Sequence, residues 1–360
     1  MKEKLHSFHL VILVYLTQTG VVLFALPHTL AVHFGTNGWL ALFLVSALAY
    51  LNIFLIGAAY RRAKGQCILD LIEERFQRVA AYLLFGFLAV VWSVIACLIA
   101  KQYVTLYQLL SYHSTPTLAL KLAFDLLVYM LVIKGIYIIA KTSTFIFSIS
   151  VILSVLFMYF FREIELARFT SFVFKEGDGW TRGIFQTYLT FIGYELSILF
   201  FPFTNRESKF FKSLMLGQLV TTIIYAYTSI ICFGFFGHQY LKKILFPLLD
   251  ALSYIQFPFV ERLENFLYGL FLLKTLISVT VFYWASIQAA NRIFKTINRN
   301  FLSALIIAGT LAISAFAYSM EEVENWLTNL SIVEMGIGFL LPAITILLTR
   351  QRQERRQVDG

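Results

Sequence analysis

Cysteine and charge are both scarce in this sequence. The three cysteines, Cys67, Cys97 and Cys232, are widely scattered, and two fall inside apolar runs. They offer neither a disulfide framework nor a CxxC metal site. Charged residues make up only 14% of the chain, too little for an ordinary soluble domain. HExxH, GxSxG and P-loop patterns are absent, as are paired catalytic acids at a usable spacing, so an enzyme is not expected and no metal or cofactor is implied. The first apolar stretch, roughly 8–32, lacks a small-residue cleavage site and is too long for a signal-peptide core. It reads as a retained first helix.

What is present is hydrocarbon. Hydrophobic residues reach 59%, with 37 phenylalanines and a mean hydropathy of +0.76, which marks an all-α polytopic membrane protein. Runs of about twenty apolar residues predict ten transmembrane helices at 8–32, 39–60, 79–111, 120–140, 142–161, 184–204, 212–236, 262–290, 301–319 and 333–349. The net charge of +9 does not point to nucleic acid, because the basic residues sit in short loops between these spans. Most of the 29 Lys and Arg fall on the side that carries both ends of the chain, among them Lys2, Arg61, Arg206, Lys209 and Arg292. Both termini are therefore expected in the cytoplasm. Of the two long loops on the other side, 162–182 is expected to lie partly on the membrane surface. The other, 237–258, is read as a helical lid over a vestibule.

The chemistry concentrates at Glu195, in the uncharged run from Gly183 to Pro202. Hydrocarbon penalises such an acid by about 2.5–3.5 kcal/mol on insertion scales, so it must be protonated, paired, or facing water. Gly193 weakens the helix beside it. Ten spans divide five plus five, about 8–161 and 184–349, with 350–360 as a basic cytoplasmic tail. The first span of the other half is interrupted at a matching place, by Gly20 and then Pro27. Matched interruptions in two halves are the best sequence pointer to a transporter binding site. Free N–H groups at a half-helix start attract an anion, and free carbonyls attract a cation or ammonium.

Gly20-Val-Val-Leu-Phe-Ala-Leu-Pro27 and Phe191-Ile-Gly-Tyr-Glu195 resemble the Gly-Ser-Gly-x-Phe-x-x-Pro and Phe-x-Gly-x-Glu segments of amino acid–polyamine–organocation transporters. With its length and span order, the whole chain resembles the permease-like B subunit of endospore germinant receptors. The resemblance implies a five-plus-five inverted repeat with discontinuous helices 1 and 6, and a small germinant, such as an amino acid, as ligand. It also implies an A subunit and a C lipoprotein as partners, in the spore inner membrane. A proton-coupled amino acid transporter is the alternative. Val22 stands where that superfamily has a second small residue, leaving less backbone open.

Candidate ligand contacts are Thr19, Gly20, Val21 and Val22 at the first break and Gly193, Tyr194 and Glu195 at the second. Tyr103 and Lys274 join them from neighbouring spans. Lys274 has three open roles: partner of Glu195, stand-in for the coupling sodium of related carriers, or a vestibule charge. Lys101 is the other possible partner of Glu195. Lys121 and Asp125 suit an i,i+4 pair at the membrane interface. His28 is read as interfacial, and His6, His9, His33, His113 and His238 receive no ligand role.

Overall fold

The computed structural model of the chain describes residues 4–112, 114–204, 209–254, 263–316 and 319–358. Lys2, His113, Arg206, Pro258 and Arg262, which entered the loop and span reading, lie outside the described residues. Within them the chain is helical, from α1 to α14, with no strand beyond one bridge between Leu5 and Thr204.

The first expected span is a broken pair, α1 (Ser7–Gln18) and α2 (Val22–Phe34), bent by 60°. Thr19 ends α1 in an extended conformation, its hydroxyl turned back to the Tyr15 carbonyl at 2.8 Å. Helices α3 (Ala41–Ala63) and α5 (Arg78–Ser111) follow, separated by a short amphipathic helix, α4 (Ile68–Arg75), that no apolar run announces. Helices α6 (Thr117–Val132) and α7 (Ile136–Leu156) meet at 119° about Gly135, whose φ is +83°. The turn therefore lies some five residues before the expected boundary at 140–142, because only Gly135 adopts the required backbone without strain.

The second broken span is α8 (Trp180–Leu189) followed by a 3₁₀ segment, Tyr194–Phe203, hinged at Gly193. Then come α9 (Phe210–Phe236), two short helices α10 (His238–Leu241) and α11 (Pro247–Ser253), α12 (Leu263–Ile293), α13 (Arg299–Ser314) and α14 (Met320–Val358). Among the described residues six helices are long and apolar enough to cross a bilayer, and the two bent pairs bring the number to as many as eight. The 16 residues of α13 fall short of a full crossing, although its run was expected to span. The last expected span, 333–349, begins thirteen residues early. Glu321, Glu322 and Glu324 form the first turns of α14 rather than a loop, since acids at a helix start are favoured by its dipole. The tail at least to Val358 continues the same helix.

The broken sixth span is central: 89% of its apolar window is buried, against 39% for α14. Outside, Phe43, Leu44, Leu51 and Phe54 on α3 and Leu118, Leu122 and Leu126 on α6 are exposed. Their spacing, four residues on α6 and seven then three from Leu44 on α3, makes apolar stripes suited to lipid. The chain is an integral, multi-pass membrane protein.

On the face away from the termini, loop 162–182 is held by the turn after α2 and by the start of the second long loop. Thr36 and Phe174 or Lys175 exchange backbone bonds, and the Asn37 amide reaches the Thr170 and Phe172 carbonyls. Glu176 accepts from Gln239 at 2.5 Å, and its carbonyl from Lys242. The described part of 237–258 is helical, as expected, and α10 and α11 lie against α2. On the terminal face, Arg292 pairs with Asp70, and Lys295 pairs with Glu73, tying α4 to the end of α12.

That Lys295 bond, first among the causes, holds the Glu73 carboxyl below its ordinary value of 4.5. A lowered folded value means the bridge contributes above the ordinary carboxylate range and is lost as pH falls through the folded value. The pair is solvent-screened, so the effect is small. The thermal midpoint in detergent should fall slightly more between pH 5 and 3 for the wild type than for Lys295→Ala.

Candidate functional site

The two interruptions meet. Gly193 has φ +113°, and a Cβ built there would lie 2.5 Å from Cγ2 of Thr17. Gly20 lies against α12, its Cβ position 3.5 Å from Thr275 Oγ1 and 3.6 Å from Ser278 Oγ. Ser278 in turn donates to the Leu16 carbonyl at 2.8 Å. The layer is closed: Thr19, Gly20, Val21, Gly193, Tyr194 and Glu195 are all buried, and Val22 is half-buried.

Broken helices release carbonyls that must find donors. Two side chains supply them. The Gln18 amide donates to the Phe191 carbonyl at 2.8 Å and to Gln218 Oε1 at 2.7 Å, and it accepts from Thr221 at 2.5 Å. The Tyr225 hydroxyl lies 2.9 Å from the Gln18 carbonyl and 2.7 Å from that of Thr190, so one phenol touches both breaks. None of Gln18, Gln218 and Tyr225 stood out in the sequence. The available signal was a lone Gln at the end of an apolar run, one residue before the first break. Tyr225→Phe removes the single O–H that these two buried carbonyls share, at about 1–3 kcal/mol for an unsatisfied group. The thermal midpoint should fall by several degrees, with the chain still reaching the membrane.

Polar atoms remain unpartnered in this layer among the described residues. Thr275 Oγ1, Ser197 Oγ, Asn52 Oδ1 and Nδ2, and Glu195 Oε2 find no hydrogen-bond partner. Glu195 Oε1 accepts from the Gly193 N–H at 2.6 Å, a bond that folds the carboxylate back over its own hinge. Lys274 is buried, and its ammonium donates to the Tyr15 hydroxyl at 3.1 Å. It also lies 5.3 Å from the Tyr15 ring centroid and 5.4 Å from that of Phe271. Of the three roles open to Lys274, ion pairing with Glu195 is not formed: no carboxylate of the described residues lies within 4 Å of it. Lys101 does not take the role either, being half-buried with Lys121 and Cys97 as its electrostatic neighbours.

Tyr103 stands apart from the breaks. Its hydroxyl donates to the Tyr268 carbonyl at 2.5 Å, and its ring stacks on Tyr107. Tyr194 is at the break, its hydroxyl 2.8 Å from that of Tyr188. Lys121 and Asp125 form the expected i,i+4 pair at 2.5 Å, but both are buried. The polar face of α6 turns inward to α5 and α12 rather than to headgroups. His28 Nδ1 lies 2.8 Å from the Leu241 carbonyl and so anchors the lid.

A cavity opens on either side of the closed layer. One, of about 400 Å³, lies under the lid between α2, α8 and the start of α14, with His28, His33, Arg182 and Glu324 in its wall. The other, of about 320 Å³, lies on the terminal face beside Lys4, Asp70, Pro202 and Arg292. Both exceed a small metabolite, and the break layer separates them.

The whole chain has known relatives of the same length. It is 22% identical over 350 residues to spore germination protein GerQB of Bacillus cereus, covering 96% of this chain and 95% of that protein. It is 24% identical over 351 residues to spore germination protein B2 of Bacillus subtilis (strain 168), covering 96% and 94%. Among solved structures it is similar to Mhp1, a nucleobase-cation-symport-1 family transporter in a closed conformation with bromovinylhydantoin bound. The TM-score is 0.67 at 14% identity, over 96% of this chain and 78% of that one, and the shared feature is the fold. Residues 4–322 match the family model described as "Spore germination protein", and the chain belongs to that family.

Proposed function

We propose that this chain is the ligand-sensing membrane subunit of a spore germinant receptor. A small germinant of the amino acid type binds at the broken helices 1 and 6 and shifts a conformational equilibrium. An A subunit and a C lipoprotein read that shift in the spore inner membrane, with both termini of this chain in the cytoplasm. The protein performs no catalysis in this reading. One observation carries it: an unpartnered, buried Thr275 hydroxyl lies beside Gly20, where α1 ends and α2 starts, in a layer closed to both cavities. A carboxylate arriving there would meet that hydroxyl and the first N–H groups of α2, in the layer that also holds Lys274. Thr19, Val21 and Val22 would shape its near side, and Gly193, Tyr194 and Glu195 the far side. Tyr103 would act only through α12.

The resulting shift needs the ligand to prefer one state of the breaks. Thr275→Val keeps the shape and removes the hydroxyl. Spores carrying it should show a germination dose-response, to the most effective of the twenty amino acids, shifted right at least about tenfold, the equivalent of one lost hydrogen bond. An unchanged response with normal chain levels rejects the site. The transporter-like fold favours a second reading, a proton-coupled amino acid carrier. Uptake of that labelled amino acid by proteoliposomes holding the isolated chain would select it over the sensor.

A further inference from the structure

The ligand reading does not use Glu334, a second acid that the sequence reading passed over. It lies on α14, fully buried. The Trp92 indole N–H, from α5, donates to both of its oxygens at 2.9 and 3.1 Å. Gly338, one turn further along the same face, lies against Glu195, its Cβ position 3.3 Å from the Glu195 Cβ. A side chain there would fill the space that lets the two helices approach. Glu334, one turn back from Gly338 on α14, is thereby brought beside Glu195, and Glu195 Oε2 finds no donor. The buried Asn52 amide reaches the same place, 3.0 Å from the Gly338 Cβ position, and both its polar atoms are also unpartnered.

We propose that Glu195 and Glu334 form a proton-binding site, one proton held between two carboxyls where span six meets α14. Two buried carboxyls side by side hold at most one negative charge cheaply, and a proton between them removes the repulsion. The donors already present suit a single charge: the Gly193 N–H on Glu195 and the Trp92 N–H on Glu334. A bare proton needs no coordination shell, whereas a metal ion would need further oxygens, and no group of three or more His, Cys, Asp or Glu that could hold a metal ion occurs among the described residues.

The other titratable side chains facing the pair are the phenols of Tyr188 on α8 and Tyr194, bonded to each other. The elements packed around it contribute neutral groups: Asn52 from α3, Trp92 from α5 and Thr17 from α1. On α12, Lys274 is turned to Tyr15. On α4, Asp70 and Glu73 are engaged with Arg292 and Lys295 at the terminal face.

Losing the proton sets two carboxylates against each other across the joint between the second break and α14, so the joint loosens as pH rises. Because Glu195 is bonded to the hinge N–H, motion of the break and proton affinity are linked in both directions. The site stands whether or not the ligand reading does, since it invokes no germinant.

Infrared spectroscopy and thermal unfolding of the full-length chain in nanodiscs test it. Wild type at pH 7 should show a protonated-carboxyl stretching band that shifts in D₂O. Its midpoint should fall by about 5 °C from pH 7 to 9, the scale of a modest change in stability for a chain this size. In Glu334→Gln the amide donates to Glu195 in place of the proton. Folding is then retained, the band disappears, and the pH dependence flattens. Glu195→Gln should behave likewise. Absence of the band in wild type overturns the proposal. So does a band unchanged in both variants, or a midpoint set by sodium or potassium instead of pH, which would place a metal cation between the acids.

Discussion

Gly193→Val should silence the response while the chain still accumulates in the membrane. Two separate penalties meet at this residue. Its φ of +113° lies where side-chain-bearing residues rarely go and β-branched ones least of all, at about 1–3 kcal/mol for a strained backbone. Any Cβ also meets the Thr17 methyl at 2.5 Å, so α1 and span six must separate where the breaks touch. Since Gly193 also donates to Glu195, a displaced hinge moves the acid with it.

The two penalties can be separated. Gly193→Ala should cost a few degrees in midpoint and most of the response. Thr17→Ser removes the colliding methyl and keeps the hydroxyl that donates to Leu13 at 2.6 Å. The double variant should therefore recover the steric part and leave the backbone part, a coupling that a double-mutant cycle reads directly. Independent, additive losses, or a fully responsive Gly193→Val, would mean that the two breaks work apart.

Much of this was legible in the sequence, and the limits have physical causes. Both interruptions announced themselves, because glycine inside an apolar run leaves a visible weak point. Glu195 did too, because an acid in hydrocarbon is costly wherever it sits. Glu334 carries the same cost but escaped notice. The acids that precede it, Glu321 to Glu324, read as a loop in the sequence, so the last apolar run starts at 333 and Glu334 falls at an apparent helix end. The stitching by Gln18 and Tyr225 depends on which carbonyls the breaks release, and that is a property of the backbone path alone. A Lys274–Glu195 pair, one of the three roles open to the lysine, rests on two lone opposite charges in one membrane. The packing of α12 along α1 gives the lysine a phenol instead.

That arrangement makes Lys274 the most informative single charge to remove. Lys274→Met should leave the protein more heat-stable and blind to its ligand. A buried ammonium costs several kcal/mol unless a counter-charge offsets it, and among the described residues Lys274 meets the Tyr15 hydroxyl and two ring faces. Those contacts return about 0.5–2 kcal/mol each. Methionine has similar length and fills irregular space well. It removes the desolvation cost but leaves the Tyr15 hydroxyl without its donor. The midpoint should rise by a few degrees, and further when Tyr15→Phe removes the stranded hydroxyl as well. The ligand response should fall more than tenfold in both if, as proposed, a germinant carboxylate supplies the counter-charge of this lysine. A gain in stability with an intact response would make the charge idle. A loss of stability would mean that the ring faces and the phenol outweigh desolvation, and that Lys274 holds α12 against α1 instead of waiting for an anion.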